Sequence, residues 1–117
     1  MAAPSRIRVV PVSGLERGNF SSELQGKDCG DPGVSVILVD AAPGRGPSLH
    51  RHEYAEVIVV LEGAATFTDG TSSVTAGAGS VVVIPAGEPH AFTNTGDGPL
   101  RQIDIHVADA FATDWLD

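Results

Sequence analysis

The chain has 117 residues, 42% of them hydrophobic and 19% charged, which is enough for one domain able to bury roughly two thirds of its unfolded surface. No apolar run approaches the ~20 residues of a membrane span. Seven basic residues against fifteen acidic ones give a net charge of −8 with no basic cluster, so the protein's own field opposes a phosphate backbone and nucleic acid is excluded as a partner.

Fourteen glycines and eight prolines punctuate short apolar runs along the whole chain, the pattern of short strands and tight turns. An all-β domain spanning residues 1–117 is expected. The stretch from Met1 to Arg6 lacks the apolar segment of a secretory signal, and the lone Cys29 forms no internal disulfide, so a cytoplasmic protein is expected.

Strands are predicted, in chain order, at about Ile7–Val12, Val34–Asp40, Ser48–His52, Glu56–Glu62, Ala65–Thr68, Ser72–Ala76, Ser80–Ile84, His90–Thr93 and Leu100–His106. Between the first two, Ser13–Gly33 is polar and lacks a period, which predicts a loop crossing the barrel. Asp69-Gly70 supplies the positive φ of a two-residue hairpin. In Glu56–Glu62, Ile58 and Val60 face one side while Val57, Val59 and Leu61 face the other. Both faces then need cover, and a second copy of the chain is the simplest source, so a homodimer is expected. The alternative is cover from the amino-terminal strand or the Ser13–Gly33 loop. At the far end, Asp109 is placed to cap a short helical turn carrying Phe111 and Trp115 on one face, an apolar latch rather than a substrate lid.

His50-Arg51-His52 places two imidazoles at i and i+2, on the same face of a strand. Three residues then suffice for a bend before Glu56 opens the neighbouring strand, and His90 arrives from another strand after the Pro85–Pro89 turn. Three imidazoles and a carboxylate converging in an apolar barrel suit a divalent transition metal, whether Fe, Mn, Ni, Co or Zn. On the last strand Gln102, Asp104 and His106 share a face that meets either solvent or the cavity. If inward, His106 and Asp104 form a proton-transfer pair, and Tyr54, in the bend between ligands, offers a phenol. Ser48 is expected to face inward and Phe92 to share the side of His90. Arg45 and Arg51 either steer a carboxylate substrate or pair with neighbours such as Glu53. Asn94 reads as a turn former.

Two spaced patterns enclose these residues: Gly44-x5-His50-x-His52-x3-Glu56-x6-Gly63 and Gly79-x5-Pro85-x-Gly87-x2-His90-x3-Asn94, fifteen residues apart. At all ten specified positions they resemble the two signature motifs of the cupin superfamily. The resemblance implies a double-stranded β-helix, or jelly-roll barrel, with a metal held by His50, His52, Glu56 and His90. By analogy it also implies a metal-dependent enzyme acting on a small organic molecule, with dioxygenase-type oxidative cleavage foremost and isomerase, cyclase or lyase chemistry next. In such an enzyme His106 or Tyr54 would serve as acid or base. A non-catalytic module that binds or senses a small ligand is the reading from another class; a sugar-sensing regulator would need a helix-turn-helix, and none is present in this sequence.

Overall fold

The computed structural model describes residues 5–116, so the Met1–Arg6 stretch read for a signal lies outside the described residues except for Ser5 and Arg6. The described residues form eleven strands: β1 Glu16–Arg17, β2 Ser21–Leu24, β3 Ser35–Ala41, β4 His50–Arg51, β5 Glu56–Glu62, β6 Ala64–Thr68, β7 Ser73–Gly77, β8 Val81–Ile84, β9 Ala91–Asn94, β10 Leu100–His106 and β11 Asp114–Trp115. They build a jelly roll from two facing sheets. One has six strands in the order β1-β2-β3-β10-β5-β8, and the other is β7-β6-β9, extended by the β4–β11 pair through a bridge between His50 and His90.

Alternation fixes which side chains enter the barrel. On β10, Leu100, Gln102, Asp104 and His106 are buried while Arg101 is exposed and Ile103 and Ile105 half-buried, so the polar face of this strand is the interior one and the solvated-edge alternative does not hold. In β5, Glu56, Ile58 and Val60 point the same way. The register pairs His106 with Glu56, Asp104 with Ile58 and Gln102 with Val60. One end of the barrel is therefore an apolar plug of Ala41, Val60, Ala65, Phe67, Phe92 and Leu100, with the Phe67 and Phe92 rings 5.6 Å apart. Full burial of aliphatic chains such as Ile58, Val60 and Leu100 contributes about 1.5–3 kcal/mol each. The opposite end carries the polar residues.

Two glycines hold the strand connections close. Gly63 has φ 83°, and a Cβ there would stand 2.5 Å from the Pro99 carbonyl oxygen. At Gly46 a Cβ would run into the Phe92 carbonyl, so this residue, absent from the spaced motifs, lets the loop before β4 lie directly on β9.

Several expectations need correction. Residues 6–11 form no strand: they run without a pairing partner, Ile7 and Val9 are 83% and 88% exposed, and Pro11 lacks an N–H to offer a neighbour. Ser13–Gly33 is more than a loop, because β2 pairs in register with β3 from Ser21↔Val39 to Leu24↔Val36. No α-helix occurs among the described residues; the residues after Asp109 extend into β11, which pairs with β4. Asp109 instead accepts a 2.6 Å bond from the Gly33 N–H through Oδ1. The hairpin after β6 turns one residue later than predicted. Its closing bond runs from the Asp69 N–H to the Ser72 carbonyl, Gly70 carries the positive φ of 99°, and the Asp69 carboxylate accepts from the Thr71 and Ser72 N–H groups. No described helix is long and apolar enough to cross a membrane.

Candidate metal centre

The His-x-His spacing works as strand geometry requires: His50 and His52 are buried and Arg51, between them, is exposed. Strand β4 is tied to the start of β9 by a reciprocal backbone pair, His50 N–H to His90 carbonyl at 3.0 Å and His90 N–H to His50 carbonyl at 2.8 Å. This sets the two imidazoles 4.2 Å apart between centroids. The Gly87 N–H donates to the His52 carbonyl at 2.7 Å, which pins the turn that delivers His90. Glu56, the first residue of β5, faces the same point. The ligand atoms of His50, His52, Glu56 and His90 all lie within 4.8 Å of one another, and all four residues are buried.

Hydrogen bonding sets the imidazole tautomers. Nδ1 of His50 faces the Ser48 carbonyl at 2.7 Å, Nδ1 of His52 the Ala112 carbonyl at 2.9 Å and Nδ1 of His90 the Glu88 carbonyl at 2.9 Å. A carbonyl only accepts, so each Nδ1 carries the proton and each Nε2 is left for a ligand or a second proton. His52 Nε2 is buried with no hydrogen-bond partner and lies 3.3 Å from Glu56 Oε1. Two lone pairs meeting at that distance call for a cation between them. Burial raises the Glu56 carboxyl, but the nearby imidazoles of His52, His90 and His106 favour its charged form, outweigh burial and hold it at about 2. His90 is lowered by burial yet ends above its ordinary value because Glu56 and the Glu88 carbonyl favour its charged form. In the metal-free protein that proton occupies a place a metal would take. The donor set of three imidazoles and one carboxylate fits a divalent transition metal.

His106, also buried, is organised differently. Tyr54 Oη accepts from the Ala112 N–H at 3.3 Å and lies 2.8 Å from His106 Nδ1. The phenol proton is thereby directed at Nδ1, which puts the proton of the neutral imidazole on Nε2, 3.5 Å from Glu56 Oε1. Burial pushes His106 down to about 4 and pushes the Tyr54 phenol up. The two residues expected as acid or base thus meet beside the cluster, outside its ligand set.

The cluster and His106 open into a cavity of about 340 Å³ whose wall includes Phe20, Glu23, Asp104, Phe111 and Trp115, while Tyr54 stands behind His106. Asp104 is buried, and burial together with the Glu56 charge raises its carboxyl well above the usual range. The carboxyl end of the chain supplies much of the rim. Trp115 packs on His50 at 5.0 Å, Phe111 packs on His106 at 5.0 Å, and Arg51 pairs with Asp114 rather than with Glu53, at 3.1 Å. Arg45 stacks over the Phe20 ring at 5.9 Å. Neither arginine lines the cavity. Ser48 is exposed, contrary to expectation, and contributes only its carbonyl. Asn94 is the turn former expected, donating to the Ala41 and Gly98 carbonyls and accepting from the Gly96 N–H. Residues 19–23 and 111–115 went unrecognised as cavity wall. The i, i+2 spacing of Ser21 and Glu23 was the available signal in the first segment.

A family profile described as Cupin domain matches residues 37–106. No curated protein sequence matches. Among solved structures, an uncharacterised conserved protein with a double-stranded β-helix domain from Klebsiella pneumoniae superposes with TM-score 0.75 at 19% identity, covering 98% of this chain and 96% of that one. An oxalate decarboxylase of Bacillus subtilis, described with Mn(II) centres, gives TM-score 0.72 at 22% identity over 87% of this chain and 29% of its own. The formate complex of oxalate decarboxylase from Lactobacillus farciminis gives 0.74 at 22% over 87% and 33%. The chain spans about a third of the length of these decarboxylases, and at such identities the likeness shows the fold. With the profile covering more than half of its length, both signature motifs included, this chain belongs to the cupin family.

Proposed function

We propose that the chain binds one divalent transition metal through His50, His52, Glu56 and His90 and acts as a metal-dependent enzyme on a small organic molecule held in the adjoining cavity. The observation that carries this reading is the three-fold Nδ1-to-carbonyl pattern, which turns the Nε2 atoms of His50, His52 and His90 toward Glu56. A metal bound there would supply Lewis acidity and, if redox-active, electron transfer. Four protein ligands around an ion that takes six would leave two positions for water, dioxygen or a chelating substrate. That arrangement supports dioxygenase-type oxidative cleavage.

The Tyr54–His106 pair supports a second reading, isomerase, cyclase or lyase chemistry. His106 Nε2 would hold or move a proton at the cavity wall, with Tyr54 fixing the ring and setting its tautomer. The test is metal content by mass spectrometry on wild type and His50→Ala, followed by oxygen uptake with enediols, diketones and catechols. One equivalent of Fe or Mn, lost in the variant, with substrate-dependent oxygen uptake supports the first reading. Stoichiometric Zn with anaerobic turnover supports the second. Absence of metal from wild type overturns both and leaves a non-catalytic ligand-binding module.

The active form is proposed to be a homodimer. The outer face of the six-stranded sheet aligns Val36 and Leu38, Ile105 and Ile103, Val57 and Val59, and Val83 and Val81 across four neighbouring strands. Val81 and Val83 are 62% and 65% exposed, and neither the amino-terminal segment nor β2 covers them. A second copy laid on this face removes the aliphatic surface from water.

A further inference from the structure

The cavity wall has a charge pattern that bears on what it holds. Among the described residues that line it there is no lysine or arginine. The basic side chains near the barrel are engaged elsewhere: Arg51 with Asp114, Arg101 with Asp40 at 3.7 Å, Lys27 with Asp28 at 3.5 Å, Arg17 with Ser22 Oγ at 3.0 Å and Arg45 over Phe20. Besides Glu56, the wall carries two carboxyl groups, Glu23 and Asp104, and Asp104 Oδ1 already accepts from Gln102 Nε2 at 2.8 Å. Glu23 pairs with Ile37 and Ile37 with Asp104 in one continuous row across β2, β3 and β10. Two strand spacings separate the two residues, about 10 Å between Cα atoms. The next inward-facing row, Ser35–His106–Glu56, belongs to the metal centre. Buried His52 Nε2, without a partner, points into the same cavity.

These facts limit the ligand's charge. A divalent ion beside Glu56 retains one net positive charge, so one anionic group on a substrate finds compensation at the metal. A second carboxylate further along would face the Glu23 carboxylate, with no guanidinium or ammonium among the lining residues to receive it. An anion buried without a partner is costly, and planar carboxylates are ordinarily received by Arg in paired bonds. Carboxyl oxygens on the wall suit the opposite kind of group, one that donates hydrogen bonds. Phe20, Phe111 and Trp115 add flat apolar surface.

Resting on the metal-centre reading above, we infer that the cavity takes an uncharged, hydroxyl-bearing molecule with a hydrogen-bond donor facing Glu23, and that it rejects dicarboxylates. This separates the site from the chemistry named for the oxalate decarboxylases that share its fold. Glu23 is the specificity-determining residue most open to test, since it is only partly buried and sits on a short strand near the sheet edge.

Catechol and phthalate present the same ring with ortho hydroxyls or ortho carboxylates, which makes them matched probes. Calorimetric titration of each into wild type, with and without one equivalent of Zn and with metal content measured on the same samples, reads the preference directly. The expected result is catechol at least tenfold tighter than phthalate. In Glu23→Arg, phthalate should tighten at least tenfold and the preference should narrow or reverse, while Glu23→Gln should weaken catechol severalfold at unchanged metal content. Phthalate binding as tightly as catechol, binding of neither, or a Glu23→Arg protein that stays folded with the preference unaltered overturns the inference. Failure of wild type to retain metal instead overturns the metal-centre reading, and the metal-free titration still decides the preference.

Discussion

Tyr54 and His106 meet through a 2.8 Å hydrogen bond between the phenol and Nδ1, and that contact gives His106 the tautomer opposite to the one imposed on His50 and His52. Long-range proton–nitrogen correlation spectra of the metal-free protein near neutral pH should show Nδ1–H for His50 and His52 and Nε2–H for His106. Tyr54→Phe should release His106 from this arrangement and destabilise the fold by about 1 kcal/mol, the usual net worth of a buried hydrogen bond. An Nδ1–H signal for His106 in wild type would contradict the assignment.

Metal should stabilise the folded protein by mass action, since a converged site does not exist in the unfolded chain. At a free metal concentration 1,000 times the dissociation constant the gain is about 4 kcal/mol. Thermal melts of wild type should therefore shift upward on adding Zn or Mn, and melts of His52→Ala should not. An equal shift in both would place the metal elsewhere.

Without metal, His106 should contribute a loss of stability as pH drops from about 6.5 toward 4. Burial holds folded His106 at about 4 against an ordinary 6.5, and burial likewise lowers His50. Between those values the unfolded chain binds protons that the folded chain refuses, so the contribution is complete above about 6.5 and disappears as pH falls through 4. For His106 it is on the order of 3 kcal/mol. The raised His90 and the raised Asp104 act in the other direction, each contributing fully below its unfolded value and losing that contribution as pH rises through its folded value. Glu56, held at about 2, contributes above 4.5 and loses that only at lower pH. Urea titrations of chelated protein at pH 7, 5.5 and 4.5 should show the midpoint of wild type losing more, or gaining less, on acidification than that of His106→Phe; parallel profiles would contradict the burial of a neutral His106.

The aliphatic outer sheet face should hold two copies together. Wild type is expected to sediment as a dimer at micromolar concentration and Val83→Asp as a folded monomer, because the charge would be buried unpaired against Val57 on its own sheet and the same face of its neighbour. Sedimentation of wild type as a monomer would overturn the homodimer.

How far the fold could be read depended on what kind of signal each segment carries. Strand β5 emerged with its bounds because a β-branched run sits between two glutamates, and β10 because Ile103 and Ile105 alternate with polar residues after the Pro99 turn. The four cluster residues emerged because i, i+2 spacing on a strand is a rigid rule. Gly44, Gly63, Gly79 and Gly87 each adopt positive φ, as the sharp turns they mark require. Other segments owe their conformation to distant partners. Ser21–Leu24 has weak intrinsic strand character and becomes a strand by pairing with β3. Phe111 and Trp115 have spacing that suits a helix as well as an extended chain, and the choice was made by the exposed edge of β4, whose partner is Asp114–Trp115. The inward face of β10 was undecidable from alternation alone, since a polar face meets either solvent or a cavity.

The bond between His52 Nδ1 and the Ala112 carbonyl joins residues 60 positions apart, and it imposes an order on biosynthesis. While the chain is being made, His50 and His52 emerge as a plain i, i+2 pair, before the segment that orients His52 and before His90. A nascent chain therefore offers passing ions two freely rotating imidazoles, with the discrimination of a flexible peptide. Only after residues 111–115 have docked does His52 acquire its fixed orientation. On the proposed metal reading, selection among ions falls to the finished barrel rather than to the nascent pair, so the conditions under which residues 111–115 dock bear on which metal is taken up.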